Sequence, residues 1–227
     1  MAVLLDRLDT PDLSCPKPLF IFDFDCCLLP TIEIQRLGLS LDVSHIDPVV
    51  RKQLDSLGDL VVTTLRKAFQ LGRVCIVTNA EAGWVQLTTA HYFPSHTEFF
   101  ASVEVYSART LFESQGFPSP LDWKVQAFDF VISAHCEIFP VSNFQVVSIG
   151  DSLHEREAVI SVCQSRGLLF KSIKMLDRPD FLSLARQHVL LQQRLAFIVD
   201  AASPLDVRVH LIDCPLSSDP MTDDSIL

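Results

Sequence analysis

Two apolar segments of this chain run directly into acidic residues. FIFDFD at Phe20–Asp25 and VVSIGD at Val146–Asp151 have the nearly unbroken apolar pattern of strands that are covered on both faces. If the two strands are neighbours in one sheet, the carboxylates of Asp23, Asp25 and Asp151 meet at one edge. Clustered carboxylates repel one another unless a cation lies between them, and oxygen ligands favour a hard cation such as Mg²⁺. The sequence therefore predicts a metal site at this edge.

Further apolar segments alternate with helical patterns along the chain. The predicted strands are Leu19–Phe24, Arg73–Val77, Ser102–Tyr106, Phe144–Ile149, Leu168–Lys174 and a final segment at Val207–Ile212. The predicted helices are Val49–Leu71, Ala82–Tyr92, Asp122–Phe139 with Asp122 as N-cap, Glu155–Arg166, and Pro179–Ala201 with proline at its start. Strands that alternate with helices predict an α/β fold. Its parallel sheet is layered between helices, and the site lies beyond the carboxyl ends of the strands.

The composition is that of a globular chain that can bury a full core. Of the 227 residues, 48% are hydrophobic, which predicts a single domain over residues 1–215. A short acidic tail over residues 216–227 is expected to be frayed. The 28 acidic and 18 basic residues give a net charge of −10, which argues against nucleic acid as a partner. Phosphorylated substrates remain compatible with this charge, because a bound metal ion reverses the local field.

The chain lacks the patterns expected of a secreted or membrane protein. Its first residues, MAVLLDRLDT, have acids where a signal peptide has bases and a long apolar run. The apolar stretch Val189–Ala202 is interrupted by charged and amide side chains. Seven cysteines, an odd number without metal-ligand spacing, indicate reduced and mostly packed thiols. We therefore expect a cytoplasmic protein with no membrane partner.

Three polar residues near the predicted strand ends suit a phosphate group. Thr78 and Asn79 follow the second strand, and Lys124 lies at the start of a helix. Taken alone, Thr78-Asn79 is more typical of a turn and Lys124 of a solvated helix face. Arg109 is a competitor for the cationic role. Together with a metal ion, these residues predict a phosphoryl-transfer site.

In this order, the motifs resemble those of the haloacid dehalogenase-like (HAD) superfamily, specifically its phosphatases. The resemblance covers roughly residues 19 to 175 and rests on Asp23-Phe24-Asp25, Thr78, Lys124 and the segment from Gly150-Asp151 to Glu155. It implies a Rossmannoid three-layer sandwich with a central parallel sheet. Two positions depart from the family pattern: Cys26-Cys27 stands where a small residue and Thr or Val are usual, and Glu155 replaces an Asp. The cysteine pair is either a pair of small packed residues, which we favour, or a redox switch.

The resemblance implies catalytic and metal-binding roles for the acidic residues. Asp23 would be the nucleophile that forms an aspartyl-phosphate, and Asp25 would be the general acid and then the general base. Mg²⁺ would be held by Asp23, the backbone carbonyl of Asp25, and Asp151. Glu155 would hold a metal-bound water or Lys124.

The resemblance also implies how the phosphate is bound. Thr78, Asn79 and Lys124 would contact the phosphoryl group, and backbone amides just after Asp23 would complete its cradle. The implied function is a Mg²⁺-dependent phosphomonoester hydrolase. Two alternatives stay open: a HAD-like interaction module without catalysis, and a phosphotransferase that moves the phosphoryl group to an acceptor other than water.

The segments in which HAD phosphatases carry a cap are short in this chain. Pro30–Leu71 is predicted to hold mostly one helix, and Gly83–Leu121 one helix, a possible strand and a loop. We therefore expect no large cap domain and an open site. By analogy with capless members, such a site suits a phosphate on a bulky or macromolecular substrate, or is closed by a second subunit in a homodimer.

Overall fold

A computed structural model of the chain describes residues 17–43, 45–138 and 144–210. The strands in these ranges are β1 Leu19–Phe22, β2 Arg73–Thr78, β3 Glu104–Ser107, β4 Gln145–Gly150, β5 Leu169–Lys174 and β6 Leu205–Arg208. The helices are α1 Thr31–Arg36, α2 Pro48–Leu71, α3 Trp84–Tyr92, α4 Thr97–Ala101, α5 Ala108–Phe112, α6 Pro120–Ile138, α7 Leu153–Arg166 and α8 Phe181–Asp200. The six strands form one sheet, in the spatial order β3-β2-β1-β4-β5-β6.

The first strand lies at the point where the sheet order reverses. β2 and β3 lie on one side of β1, and β4, β5 and β6 lie on the other. All of the pairings are parallel, and Phe22 of β1 lies opposite Ile76 of β2 and Ile149 of β4. This is a doubly wound α/β topology, in which ligands bind at the carboxyl ends of the strands beside the reversal. The predicted fold class is confirmed.

Apolar side chains of β1 alternate between two buried cores, one on each face of the sheet. Phe20 and Phe22 belong to a cluster that includes residues of α2 and α8. Leu19 and Ile21 belong to a second cluster, which includes residues of α6 and α7. Because successive strand residues point to opposite faces, each face is covered by its own helix layer. The result is the predicted three-layer sandwich.

The predicted start of α6 is wrong by two residues. The helix begins at Pro120, so that Asp122 lies inside it and is not the N-cap. The hydroxyl of Ser119 donates to the Asp122 carboxylate at 2.6 Å, and it accepts from the Asp122 amide at 3.3 Å. The Ser119 hydroxyl therefore satisfies the Asp122 amide, which is one of the free amides of the first turn. Phe139, the predicted last residue, lies outside the described residues.

The predicted start of α8 is also wrong. Pro179 precedes the helix, which begins at Phe181. The carboxylate of Asp180 accepts from the amide of Ser183 at 2.7 Å, so Asp180 is the N-cap. Pro179 lies one residue before this N-cap and therefore outside the helix.

The segments that could have held a cap are occupied by elements that belong to the sandwich. Residues 30–43 and 45–71 form α1, α2 and parts of a connecting loop, and no large cap domain is present in the part of the chain that the structure describes. Residues 83–121 contain α3, α4, β3 and α5, of which α4 and α5 were not expected. No helix among the described residues has both the length and the apolarity needed to cross a membrane. The proposed tail over residues 216–227 lies outside the described ranges.

Candidate active site

The carboxyl ends of three strands bring Asp23, Thr78 and Asp151 to one edge of the sheet. Asp23 follows β1, Thr78 ends β2, and Asp151 follows β4. The amide of Asp23 donates to the carbonyl of Ile149 at 2.8 Å, so the chain stays beside β4 for one residue beyond the strand. The parallel register of the central strands therefore fixes the relative positions of these side chains.

Lys124 reaches this edge from the interior of the protein. Its side chain is 1% exposed, and its ammonium donates to Oδ1 of Asp23 at 2.6 Å and to the carbonyl of Val77 at 2.6 Å. Oε1 of Glu155 lies 2.8 Å from the same nitrogen. Burial disfavours the charged form, but the two carboxylates outweigh burial and raise the pKa of Lys124 above its ordinary value. Lys124 is therefore a fixed positive charge between Asp23 and Glu155.

Glu155 is held from two sides. Its Oε2 accepts from the hydroxyl of Ser152 at 2.5 Å and from the Ser152 amide at 3.1 Å, in the capping box that starts α7. Burial opposes ionisation, but Lys124 and Ser152 outweigh it and lower the pKa of Glu155 to about 2. Gly150 leaves room for this side chain, because a Cβ at that position would lie 2.5 Å from Cγ of Glu155. Glu155 thus holds Lys124 directly.

Asp151 adds another carboxylate to this edge. Single carboxylate oxygens of Asp23, Asp151 and Glu155 lie within 4.8 Å of one another. Burial, followed by the negative charge of Glu155, raises the pKa of Asp151 to about 7. Burial also raises the pKa of Asp23 well above its ordinary value, against the opposing charge of Lys124. One ammonium does not balance these carboxylates, so the cluster offers the charge and the oxygen donors that a divalent cation requires.

The side chain of Asp25 has a separate environment. Its Oδ1 accepts from the indole Nε1 of Trp84 at 3.0 Å, and its Oδ2 lies 3.5 Å from the hydroxyl of Thr78. The hydroxyl of Thr31 is a further polar group that favours the ionised form of this carboxyl and lowers its pKa. Burial raises the pKa of Asp25, and the polar groups of Trp84, Thr31 and Thr78 oppose the rise only in part. Asp25 therefore holds a proton more readily than an ordinary aspartate does.

A tight turn follows Asp25 and contains the two neighbouring cysteines. The amides of residues 27–29 donate to the carbonyl of Phe24, and Cys26 has a left-handed φ of 57°. Both cysteine side chains are buried, and burial raises the pKa of each thiol. A redox-sensitive cysteine is usually an accessible thiolate. The buried, protonated thiols of Cys26 and Cys27 support the packing interpretation of this pair.

Two candidate phosphate-site residues, Asn79 and Arg109, make polar contacts outside the acidic cluster. Nδ2 of Asn79 donates to the carbonyl of Pro120 at 3.2 Å, which connects the end of β2 to the start of α6. Direct binding of a phosphate by Asn79 stays a prediction. Arg109 lies on α5 with 41% of its side chain exposed, and it pairs with Glu113 at 2.9 Å. Of the two candidate cations, Lys124 is the one that the fold brings to the site.

Sequence reasoning missed three residues around the site: Trp84, Thr31 and Lys174. Trp84 and Thr31 contact Asp25, as described above. Lys174, at the end of β5, donates to the carbonyl of Asp151 and to the carboxylate of Asp177. The sequence could have indicated Lys174, because it is a charged residue at the end of an apolar strand. The contacts of Trp84 and Thr31 depend on how α1 and α3 pack, which no local pattern specifies.

Comparisons with known proteins give a likeness to solved structures. No protein-family model matches the chain, and no curated protein matches it in sequence. Among solved structures, the chain is similar to a HAD family hydrolase from Deinococcus radiodurans R1, which was crystallised with bound phosphate and sodium. The similarity covers 82% of this chain and 99% of that chain, with 14% sequence identity and a TM-score of 0.40. The function proposed below rests on the arrangement of the site residues in this chain.

Proposed function

We propose that this chain is a Mg²⁺-dependent phosphatase of the HAD type, which hydrolyses phosphomonoesters through an aspartyl-phosphate on Asp23. The observation that carries the proposal is the separation of two aspartates that are close in sequence. Asp23 is buried against the ammonium of Lys124, whereas Asp25 is set among the hydrogen-bond donors Trp84 and Thr78. Two carboxyl groups in such different environments can divide the roles of nucleophile and proton donor.

The first chemical step forms the covalent intermediate. An ionised oxygen of Asp23 attacks phosphorus, and the bond between phosphorus and the ester oxygen breaks. Asp25 gives its proton to the departing oxygen, so that the alcohol leaves in its neutral form.

The second step hydrolyses the intermediate. Asp25, now ionised, takes a proton from a water molecule while the water oxygen attacks phosphorus. The bond between Asp23 and phosphorus breaks, inorganic phosphate leaves, and Asp25 is again protonated. Asp25 therefore acts as the acid in one step and as the base in the other.

Lys124 and Thr78 support both steps from the interior side of the site. Lys124, fixed on Asp23, reduces the repulsion between this carboxylate and an anionic phosphoryl group. The hydroxyl of Thr78 accepts from the amide of Ala80 at 3.0 Å and donates to Oδ2 of Asp25 over a long 3.5 Å. A bound phosphoryl oxygen would take this hydrogen in place of Asp25. The amides of residues 27–29 already donate to the carbonyl of Phe24. The backbone amides that bind the phosphoryl group would therefore have to be those of Phe24 and Asp25.

The acidic cluster fits a magnesium ion. The carboxylates of Asp23 and Asp151 and the backbone carbonyl of Asp25 would hold it, while Glu155 is already engaged by Lys124. The ion would supply positive charge against the phosphoryl oxygens. Lys174 supports this arrangement through its bond to the carbonyl of Asp151.

The state of the cysteines supports a reducing compartment. The described cysteines are Cys26, Cys27, Cys75, Cys136 and Cys163, and all are free thiols that are buried or half-buried. Free thiols persist in the cytosol, where glutathione and thioredoxin keep them reduced. We therefore propose a cytoplasmic phosphatase.

Phosphate release from p-nitrophenyl phosphate, in Mg²⁺ or in EDTA, tests the proposed function. We expect release that requires Mg²⁺ and that falls at least about a thousandfold in Asp23→Asn. Asp129→Asn is the matched control, because Asp129 lies on the surface of α6 and pairs with Arg166. Release by Asp23→Asn at the wild-type rate would overturn the proposal. Absence of any release would favour the interaction module, and transfer to an added alcohol would identify a phosphotransferase.

A further inference from the structure

A cavity of about 380 Å³ shares Trp84 and Thr31 with the surroundings of Asp25. It lies between α1, the loop after α1, and α3. Its apolar walls are formed by Ile34, Leu39, Leu41, Trp84 and Tyr92. Trp84 and Thr31 both line the cavity: the indole of Trp84 donates to the carboxylate of Asp25, and the hydroxyl of Thr31 lowers the pKa of Asp25. The proposed proton donor is therefore separated from the cavity by no more than the side chains that both share.

Fixed contacts hold the cavity walls together. The hydroxyl of Tyr92 donates to the carbonyl of Leu39 at 2.6 Å, which ties α3 to the loop after α1. A guanidinium nitrogen of Arg51 on α2 donates to the carbonyl of Tyr92 at 2.5 Å. The amide of Leu39 donates to the carbonyl of Ile34 at 3.1 Å and closes the end of α1. Such bonds between different elements give a preformed cavity, as is usual for small-molecule sites.

The lining selects against anionic groups. Among the described residues that line the cavity, Asp42 is the charged one, and none is a lysine, arginine or histidine. A carboxylate or a second phosphate in this cavity would lose water and meet apolar walls and a like charge. An aromatic or aliphatic group would instead pack against Trp84, Tyr92 and Leu41. The volume lies in the range of small-molecule sites, at the lower end.

We propose that this cavity receives the alcohol part of the substrate, and that the enzyme prefers phosphomonoesters of uncharged aromatic or apolar alcohols. This inference rests on the proposed function. Asp25 gives its proton to the leaving oxygen, so the leaving alcohol must lie on the Asp25 side of the site, where the cavity is. The phosphoryl group stays on the other side, with Lys124 and Thr78. A free aryl alcohol and a tyrosine side chain present the same chemistry to the cavity.

Binding of two phosphonates tests the cavity without relying on catalysis. Benzylphosphonate carries a phenyl ring and is not hydrolysed, and methylphosphonate lacks the ring. The chain has two tryptophans, so Trp123→Phe leaves Trp84 in the cavity wall as the fluorescent reporter. In this background we expect benzylphosphonate to change the Trp84 emission and to bind at least about tenfold more tightly than methylphosphonate.

Substitutions in the cavity wall test where the ring binds. Leu41→Asp places a charge in the wall and Leu41→Trp fills the space, and both should abolish the advantage of benzylphosphonate. Leu87→Asp is the matched control, because Leu87 is 56% exposed on α3 and does not line the cavity. Asp42→Lys should raise the affinity for phosphonoacetate, which carries a second anionic group. Thermal melts identify the variants that are folded.

Two binding results would overturn the inference. One is equal affinity for the two phosphonates in the Trp123→Phe protein. The other is a ring advantage that persists in folded Leu41→Asp and Leu41→Trp.

Turnover separates a failure of this inference from a failure of the proposed function. Acetyl phosphate has a leaving group too small to fill the cavity, and it tests the Asp23 centre alone. Hydrolysis of acetyl phosphate without a preference for phenyl phosphate over phosphoglycolate would overturn the cavity inference only. Ring-dependent binding with no hydrolysis of any ester would overturn the proposed function and leave an aryl-phosphate binding site.

A phosphotyrosine peptide compared with free phosphotyrosine distinguishes the two sources of the aryl group. Better use of the peptide would support a protein substrate, and better use of the free compound a small molecule. Both results support a preference for aryl phosphates. Hydrolysis of acetyl phosphate without hydrolysis of the peptide or of free phosphotyrosine counts against this preference.

Discussion

The ammonium nitrogen of Lys124 lies 2.6 Å from Oδ1 of Asp23, where both side chains are almost fully buried. Replacing Lys124 by methionine leaves Asp23 and Glu155 buried without a counter-charge. Loss of one partner from such a buried pair costs about 3 kcal/mol. We expect the free energy of unfolding in urea to fall by this order, and phosphate release to be lost.

Two further variants separate the charge effect from a general loss of packing. Glu155→Gln in the Lys124→Met background should restore part of the stability, because it removes one of the unpaired charges. Arg109→Met removes an exposed cation and should change stability little. If the free energy of unfolding of Lys124→Met equalled that of the wild type, the ammonium of Lys124 would not be needed to stabilise the buried carboxylates.

Gly150→Ala should weaken the site through Glu155. The added Cβ would lie 2.5 Å from Cγ of Glu155, so this side chain would have to move away from Lys124. We expect a lower kcat in Gly150→Ala. A double-mutant cycle checks the cause: Gly150→Ala should cost less when Glu155 is already alanine. Additive effects of the two substitutions would contradict the steric explanation.

Trp84→Phe removes the indole N–H that lies 3.0 Å from Oδ1 of Asp25 and keeps an aromatic ring at the same position. Because Asp25 protonates the leaving oxygen, the effect should depend on how much the leaving group needs a proton. We expect kcat to fall about tenfold for phenyl phosphate and less for p-nitrophenyl phosphate. Trp123→Phe is the control, since its indole donates to the carbonyl of Phe117 at 2.9 Å. Equal losses on both esters would argue against a positioning role for Trp84.

The distance between residues along the chain decides what the sequence could predict. The sequence predicted the position of the three aspartates because each comes directly after an apolar strand. A residue that follows a strand must lie at the edge of the sheet, and this applies to Asp23, Asp25 and Asp151. Lys124 lies 101 residues after Asp23 and reaches it only through the packing of α6. A lysine near the start of a helix has no local feature that distinguishes a buried site residue from a solvated one, and only the motif order indicates its role.

The surroundings of Asp25 could not be predicted for a different reason. The contact with Trp84 depends on the direction in which α3 leaves the loop after β2. The cavity beside it depends on the packing of the loop after α1 against Tyr92. The Trp84 contact and the cavity both arise from tertiary packing. The sequence patterns of the segments involved predict only a helix and a loop.

A buried histidine behind the loop that follows Asp25 should make stability depend on pH. Nε2 of His188 donates to the carbonyl of Cys27 at 3.0 Å, and its Nδ1 lies 3.0 Å from the hydroxyl of Thr64. Burial lowers the pKa of His188 to about 4, against the opposing effect of the bond to Cys27. An unfolded histidine has a pKa of about 6.5. Between these values the unfolded chain binds a proton that the folded chain does not.

Stability from this group is therefore complete above pH ~6.5 and decreases as the pH falls toward 4, by about 3 kcal/mol in total. Urea unfolding at several pH values measures this slope. His188→Gln keeps polar atoms near both partners but cannot titrate, so the slope between pH 6.5 and pH 4 should decrease by one proton. The same substitution at exposed His45 is the control. An unchanged slope in His188→Gln would contradict the assignment.

The most direct test of the proposed mechanism is to trap the phosphorylated protein during turnover. The protein is quenched in acid while it hydrolyses p-nitrophenyl phosphate in Mg²⁺, digested, and analysed by mass spectrometry. The account predicts one phosphoryl group on the peptide that contains Asp23, labile to hydroxylamine as an acyl phosphate is, and absent from Asp23→Asn. Steady release of phosphate with Asp23 never modified, or a phosphoryl group that forms on another residue and persists in Asp23→Asn, would contradict it.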